Sequence, residues 1–495
     1  MLSHLPDALA LLFSLEGILV LIFGTILGIV LGAMPGIGST VAVAIVLPFT
    51  LTMGQSSAIL LLLAVYAGSV YGGSISAILI NTPGTPQSAA TCLDGYPMAQ
   101  RGDAGLALGW ATVASVIGGL VSAVVLVFAA PYLAAFALNF GPIETFALIL
   151  LGMTCIVSVS TGSVIKGLLA GMIGIFLSTV GGDPIIGEFR FTYDIWQLYS
   201  GFNLLAVVIG VFALSEVFVR ASAKPTGVSE LVDFRGVILP KLSAWRGRLR
   251  NLGKSVVIGN VIGVLPGTGA ATAAFISYAE GRRSSPNKEA FGTGEPDGIV
   301  SSEAANNAVT GGALVPTMAL GIPGDAITAV MLATLTLHGI TPGPRLVEEN
   351  PTLIAAIFAG FFLINLLLLP LGLLLSRVAA PILRMREGFM MTAIVILCAL
   401  GIYFVRGNPF DLIVMGVAGV VGFLLRRQGI PMAPLVIGMV LGPTLELTLR
   451  QGLILKDGNF FAFFESPIAL VLAIVSLVAL ALPLVRAVLA SRAAQ

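Results

Sequence analysis

The sequence predicts an all-α polytopic membrane protein built from two repeats, and three observations carry that prediction. Of 495 residues, 57% are hydrophobic and only 10% are charged, with a mean hydropathy of +1.03. Long apolar runs recur along the chain. A proline-glycine motif, PGxG, interrupts two of them in matching surroundings.

Soluble domains carry about 25% charged residues, so most of this chain is expected to avoid water. Leu204 to Val219, Leu353 to Leu375, Met390 to Val405 and Pro467 to Val485 approach or reach the roughly 20 apolar residues that span a hydrocarbon core. They are apolar all round and lack alternation, which predicts helices and not barrel strands. About ten to twelve transmembrane helices are expected from these segments. The opening MLSHLPDALALLFSLEGILV has no basic n-region and no small-residue cleavage site, so it reads as mature protein. Cys92, Cys155 and Cys398 lie far apart, and the only histidines are His4 and His338. No metal or redox cofactor is expected. A net charge of +1 argues against a nucleic-acid partner.

The longest polar interruption, Arg220 to Lys254, holds Arg220, Lys224, Arg235, Lys241, Arg246, Arg248, Arg250 and Lys254 against Glu230 and Asp233. Its excess of cations places it in the cytoplasm. The chain then divides into a first transmembrane repeat, 1–219, a cytoplasmic linker, 220–253, and a second repeat with C-terminal helices, 254–495. Gly28 to Ile45 (GIVLGAMPGIGSTVAVAI) aligns with Gly259 to Ile276 (GNVIGVLPGTGAATAAFI), identical at eight of eighteen positions. Chance gives about one or two at this composition. Tyr71 to Ala89 aligns more weakly with Gly311 to Ala329, through Gly72/Gly312, Pro83/Pro323 and Gly84/Gly324.

A proline removes a backbone donor and glycines permit left-handed backbone, so each PGxG breaks its helix. In hydrocarbon, broken backbone survives only when packed in protein or lining a polar cavity. Paired breaks in two halves point to a transporter's central site. The helices are expected to restart near Ser39 and Ala270, with their first N–H groups directed at an anion. Gly36, Gly38, Gly267 and Gly269 allow close approach there, and Ser39, Thr40, Thr268 and Thr272 add hydroxyls. The alternative is that these glycines only pack helices together. A second pair of breaks, Asn81-Thr82-Pro83-Gly84 and Gly321-Ile322-Pro323-Gly324, offers an amide, a hydroxyl and freed carbonyls. Both also read as plain turns at the membrane surface.

Ser301 to Ala308 (SSEAANNA) brings Glu303, Asn306 and Asn307 beside an apolar run, where polar groups are costly without partners. The segment reads either as part of a site or as the N-terminal cap of the next helix. Glu303, Asp325 and the carbonyls freed by Pro83 and Pro323 are candidates for coupling an ion, with Glu16, Glu144 and Glu216 more interfacial. No nucleophile–base set, GxxxxGK[ST] or HExxH occurs, so neither an enzyme nor an ATP-driven pump is expected.

PGIGSTVAVAIVLPFT, YGGSISAILINTPG, LDGYPMAQRGDAG, GVLPGTGAATAAFISYAEGRR, the run FGTGEPDGIVSSEAANNAVTGGALVPTMALGIPGDAITAVML and HGITPGP together resemble the large membrane subunit (TctA-like) of the tripartite tricarboxylate transporters. The resemblance runs from about Gly24 to Pro344. It implies a bacterial inner-membrane complex with a small four-helix membrane subunit (TctB-like) and a periplasmic solute-binding protein (TctC-like). It also implies symport of a carboxylate with a coupled cation, Na+ or H+. Ser301-Ser302 stands where the family often has alanine and proline, and Thr85 where it often has glutamate.

The expected protein is therefore an ion-driven importer of tricarboxylates, dicarboxylates or aromatic acids. Its repeats are expected to be inverted, with broken or re-entrant helices at the PGxG motifs and the N-terminus outside. The alternative is a passive anion channel lined by the same breaks.

Overall fold

The computed structural model describes residues 2–159, 163–183, 185–222, 232, 236–267, 269–378, 383, 385 and 387–493. Its helices are α1 Leu5–Leu12, α2 Leu15–Ala33, α3 Gly38–Thr50, α4 Gln55–Ile80, α5 Ala89–Met98, α6 Ala104–Ala137, α7 Pro142–Val159 and α8 Val164–Ser178. A two-residue β-hairpin, β1 Gly181–Gly182 with β2 Phe189–Arg190, precedes α9 Leu204–Ile209, which runs through a π-helical segment into α10 Ser215–Ser222. There follow α11 Leu249–Val264, α12 Gly269–Ser284, α13 Pro296–Leu320, α14 Ala326–Leu337, α15 Leu346–Glu349, α16 Pro351–Arg377, α17 Glu387–Arg406, α18 Pro409–Arg427, α19 Met432–Leu455 and α20 Pro467–Ala493.

Among the described residues, seven helices are long and apolar enough to cross a membrane, and six shorter apolar helices accompany them. α13, polar from Ser301 to Asn307, is not one of the seven. It is nevertheless enclosed by protein almost throughout, as is α4. That is how a polar helix persists in this setting, since its side chains meet partners instead of lipid.

Glycine spacing aligns the central helices. Cβ atoms added at Gly24, Gly28 and Gly32 of α2 would fall 2.8, 2.6 and 2.2 Å from Ala64, Val65 and Ser69 of α4. Rising numbers meet rising numbers, so α2 and α4 run parallel, with the end of α2 beside Gly72 of α4. α11 repeats the arrangement, with Gly259 against Ala305 and Gly263 against Val309 of α13. These are small-xxx-small contacts that let backbones touch. α12 then returns antiparallel along α13: Gly281 faces Ser301, while Ala270 and Ala273 cluster with Val309 and Ala313. Each half thus joins a helical hairpin, α2–α3 or α11–α12, to a broken helix, α4–α5 or α13–α14, whose two parts run in the same direction, with the hairpin tip beside the break.

Two hydrogen bonds set the direction of one half against the other. Tyr66 of α4 donates to Asp325, just beyond α13, at 2.7 Å, and Thr91 of α5, just beyond α4, donates to Glu303 in mid-α13. Tyr66 lies 14 residues before Ile80, and Glu303 17 before Leu320, about 21 and 26 Å of helix. Both bonds form together only if α4 and α13 run antiparallel. The halves are therefore inverted, and each tip lies beside the middle of the other half's long helix.

α6 packs along α13, with Gly118 on Ala304 and Gly311 on Ser122. A second group of helices, α7, α8, α19 and α20, packs together, with Gly174 of α8 against Leu435 of α19. Their ends are tied to the β-hairpin by Asp183, Arg190, Glu446 and Arg450, with Arg450 to Asp183 at 2.8 Å and Arg190 to Glu446 at 2.7 Å. The N–H groups of Ile186 and Ile185, with Arg450 beside them, hold the Asp183 carboxyl down at about 2.

Candidate functional site

The helices restart at Gly38 and Gly269, close to the expected points. Gly36, Gly38, Gly267 and Gly269 have φ of +75, +70, +84 and +71, conformations that side chains with a Cβ adopt at a cost. Within each half the two tips are joined through backbone. Gly38 N–H donates to the Gly84 carbonyl at 3.2 Å, and Gly267 N–H to the Gly324 carbonyl at 2.7 Å. Among the described residues, a Cβ at Gly38 would have only Pro86 nearby, at 3.8 Å, and one at Gly269 nothing within 4 Å. Space opens beside both restarts.

Ser39 is 1% exposed and its hydroxyl has no partner among the described residues, whereas Thr40 is half-buried and Thr272 exposed. Thr268 lies outside the described residues. Asn81 ends α4 with φ +52 and is exposed, and the half-buried Thr82 donates to the Ile80 carbonyl at 3.3 Å. Pro83 is half-buried and Pro323 buried. The plain surface turn does not describe the second of these breaks, because Gly321 to Asp325 is buried throughout.

The polar run of α13 belongs to the helix interior. Its cap is Glu295, whose side chain accepts from Asp297 N–H, so the reading of Ser301 to Ala308 as a cap is overturned. The run sits a turn or more inside because Pro296 opens the helix earlier. Asn306 is fully buried, and neither its amide oxygen nor its nitrogen has a partner among the described residues. Asn307 donates to the Glu303 carbonyl at 3.0 Å and leaves its oxygen unpartnered. The hydroxyl of Ser277 on α12 is buried, without a partner among the described residues. The antiparallel pairing of Gly281 with Ser301 brings it level with Ala305 and Asn306. The Gln87 oxygen, in the turn after the first-half tip that packs on α12 and α13, is unpartnered as well. Buried polar atoms are almost always paired, so this set is a candidate for meeting a polar guest.

The ionisable residues separate by their surroundings. Asp325 is a helix cap: its Oδ1 accepts from Ile327 and Thr328 N–H at 3.0 and 2.8 Å, and Thr328 returns the capping-box bond. Its Oδ2 takes Tyr66. Glu303 is fully buried and accepts from Thr91, from Ser115 at 2.9 Å and from Asn307 at 3.4 Å. Glu16 accepts from Ser57, Glu144 from Ser466, and Glu216 pairs with Arg220 and Arg426.

Thr91, Ser115, Tyr66, Gln87 and Ser277 are not singled out by sequence reasoning. Lone hydroxyls in apolar helices are ordinary there, so no local signal separates these from their neighbours. Arg220 is counted only as a loop charge, yet its guanidinium lies on Gly36, where an added Cβ would sit 1.2 Å from Nη2.

The sequence profile of the Tripartite tricarboxylate transporter TctA family matches residues 18–437. An "Uncharacterized 52.8 kDa protein in TAR-I ttuC' 3'region" of Agrobacterium vitis is 38% identical over 479 residues, covering 95% of this chain and 93% of that one. An "Uncharacterized protein in TAR-II ttuC' 3'region" of the same organism is 37% identical over 234 residues, 47% of this chain and 97% of that one. No solved structure matches. The chain belongs to the Tripartite tricarboxylate transporter TctA family.

Proposed function

We propose that this multi-pass TctA-family chain is the translocating subunit of an ion-gradient-driven importer of organic carboxylates in a bacterial inner membrane. It works with a small four-helix membrane subunit and with a periplasmic solute-binding protein that delivers the acid. One observation carries this reading: in the helices that meet at two inverted pairs of chain breaks, Ser39, Ser277 and Asn306 hold buried polar atoms without partners among the described residues. A carboxylate needs donors of that kind, and the positive-φ glycines let its oxygens approach backbone N–H groups. The substrate contacts are assigned to Gly36, Gly38, Ser39, Thr40, Asn81, Thr82, Gly267, Thr268, Gly269, Thr272, Asn306 and Asn307. Ion coupling is assigned to the neighbourhood of Glu303, Asp325 and the carbonyls freed by Pro83 and Pro323.

The test is reconstitution in proteoliposomes with labelled citrate, succinate and benzoate. Accumulation is expected only when both partners are added, and it should collapse when an ionophore dissipates the cation gradient. Uptake that merely equilibrates, with or without the gradient, would establish a passive pore instead.

A further inference from the structure

We propose that Glu303 binds and releases the coupled proton, and that the neighbouring Asn306 links this proton to the transported anion. The proposal rests on the reading of the chain as a carboxylate symporter and names the coupling group within it.

Glu303 stands in the middle of α13, 0% exposed, and its described partners are neutral donors from three helices. Thr91 of α5 donates to Oε1, and Ser115 of α6 and Asn307 of α13 donate to Oε2 at 2.9 and 3.4 Å. A carboxylate so enclosed is costly when ionised without a positive partner. Among the other buried acids, the two that lie in these packed halves, Asp94 and Asp325, are differently served. Asp94 receives the backbone N–H groups of Gly292, Gly294 and Glu295, each at 2.8 Å, and the Tyr278 hydroxyl. Asp325 receives two backbone N–H groups and Tyr66. Backbone donors hold an anion permanently, which suits a structural tie. Rotatable hydroxyls serve either state of the carboxyl, donating to the anion or accepting from the acid.

The geometry favours a proton over a metal cation. Asn307 turns its NH2 toward Oε2, an orientation fixed by its 3.0 Å bond to the Glu303 carbonyl. Ser302 spends its hydroxyl hydrogen on the carbonyls of Gly298 and Ile299 or on Thr91. A cation needs oxygen lone pairs, whereas a proton needs one carboxyl oxygen.

The titratable groups around Glu303 are few. α4 brings Tyr71, bonded to Thr112 and Ser376, and α5 brings Cys92 and the occupied Asp94. α6 carries no Asp, Glu, Lys or Arg from Ala104 to Ala137. α11 and α12 bring Lys254, paired with Glu280, and Tyr278, bonded to Asp94. Between α13 and α14, Asp325 is spent as a cap.

Asn306 follows Glu303 by three residues, so the two side chains are neighbours on the helix, with Cβ atoms about 5–6 Å apart. Both ends of its amide are buried and have no partner among the described residues. An anion held there repels an ionised Glu303 and tolerates a neutral one. Anion binding therefore draws in a proton, and the proton in turn raises affinity for the anion, since linkage is reciprocal. Coupling between such sites amounts to about 5- to 150-fold in affinity.

The experiment measures binding of labelled citrate, succinate and benzoate to the complete purified complex from about pH 5 to about pH 8. Wild-type affinity is expected to fall roughly tenfold or more as pH rises. Glu303→Gln, which mimics the neutral acid, should remove that dependence and abolish accumulation driven by a pH gradient. Thr91→Val, which removes a donor to the anion, should move the midpoint of the profile to higher pH. Affinity that follows Na+ and ignores pH, or a pH profile unchanged in Glu303→Gln, would overturn the proposal. Infrared titration of the ligand-free complex reads the same group without substrate. Loss of a pH-dependent carboxyl band in Glu303→Gln supports the proton site, and its survival refutes it. If wild type binds none of the acids, the carboxylate reading fails while the infrared result still decides on Glu303.

Discussion

The tip between α13 and α14 is buried and tied at several points, whereas its counterpart between α4 and α5 begins with an exposed asparagine. In the second half, Gly324 N–H donates to Thr317, Asp325 and Thr328 form a capping box, and Tyr66 reaches across from the first half. In the first half, Gly84 N–H donates to the Gly73 carbonyl at 3.3 Å, but Thr85 stands where the second has Asp325, and its hydroxyl meets Ser88 at 3.0 Å. Charge differs too, because Arg220 lies on Gly36 of the first tip pair while Asp325 belongs to the second. Two copies of one motif have thus been consolidated unequally. Segments with fewer buried ties open first, so the first-half tip is expected to move during transport while the second holds its shape.

The largest expected effects separate glycines that pack from glycines that bend. A Cβ at Gly32 would lie 2.2 Å from the Ser69 carbonyl oxygen, and at Gly263 2.8 Å from that of Val309. Backbone cannot yield as a side-chain end can, so Gly32→Val should eliminate folded protein, and Gly263→Val should reduce it less. Gly38 and Gly269 face open space at positive φ. Valine there costs strain of about 1–3 kcal/mol but no clash, so both variants should reach the membrane and fail in uptake. Size-exclusion chromatography beside uptake assays reads both properties. Equal yields of Gly32→Val and Gly38→Val would break the distinction.

The repeats and their breaks were legible because PGxG pairs a residue without an N–H with residues free at positive φ, and it recurs in matching surroundings. Gly28, Gly32, Gly259 and Gly263 were legible in the same alignment, but their purpose was not. Packing and bending glycines look alike in sequence, and this chain uses both kinds a few residues apart. The inversion could be argued from charge alone, yet what fixes it is Tyr66 and Thr91, whose partners are 259 and 212 residues away. No pattern within a helix reveals such a partner. SSEAANNA announced a cost without naming what met it, because Thr91 and Ser115 come from other helices.

Removing one tie tests how far the second tip depends on the first half. Tyr66→Phe keeps the ring and deletes the hydroxyl that donates to Asp325. It leaves Oδ2 without that donor in a buried place, at a cost of about 1–3 kcal/mol. The thermal midpoint of the purified protein should fall by a few degrees, since roughly 2–4 °C corresponds to each kcal/mol in domains of moderate size. Ser88→Ala, which removes the hydroxyl facing Thr85, should shift the midpoint less. A larger loss from Ser88→Ala would reverse the order of consolidation and make the first tip the firmer one.

The smallest effect belongs to the residue that opens the first tip. Asn81 and Gly321 are counterparts in the aligned repeats, and both end a helix in left-handed backbone, at φ +52 and +69. Asparagine tolerates this conformation better than most residues, and glycine adopts it freely. Asn81 is exposed, so Asn81→Gly removes strain without opening a cavity, while the unfolded chain gains freedom that offsets the gain. The net change should lie within about 0.5 kcal/mol, as for other surface positions. Gly321 is buried, and a Cβ there would sit 2.9 Å from the Pro342 carbonyl oxygen. Gly321→Asn must therefore displace backbone and bury a new amide, and it should cost more. Thermal midpoints of the reciprocal pair, measured in one detergent, report the difference between the tips at a single matched site. If Asn81→Gly lowers the midpoint as much as Gly321→Asn, the asparagine amide is held by contacts of its own, and the first tip is not the looser of the two.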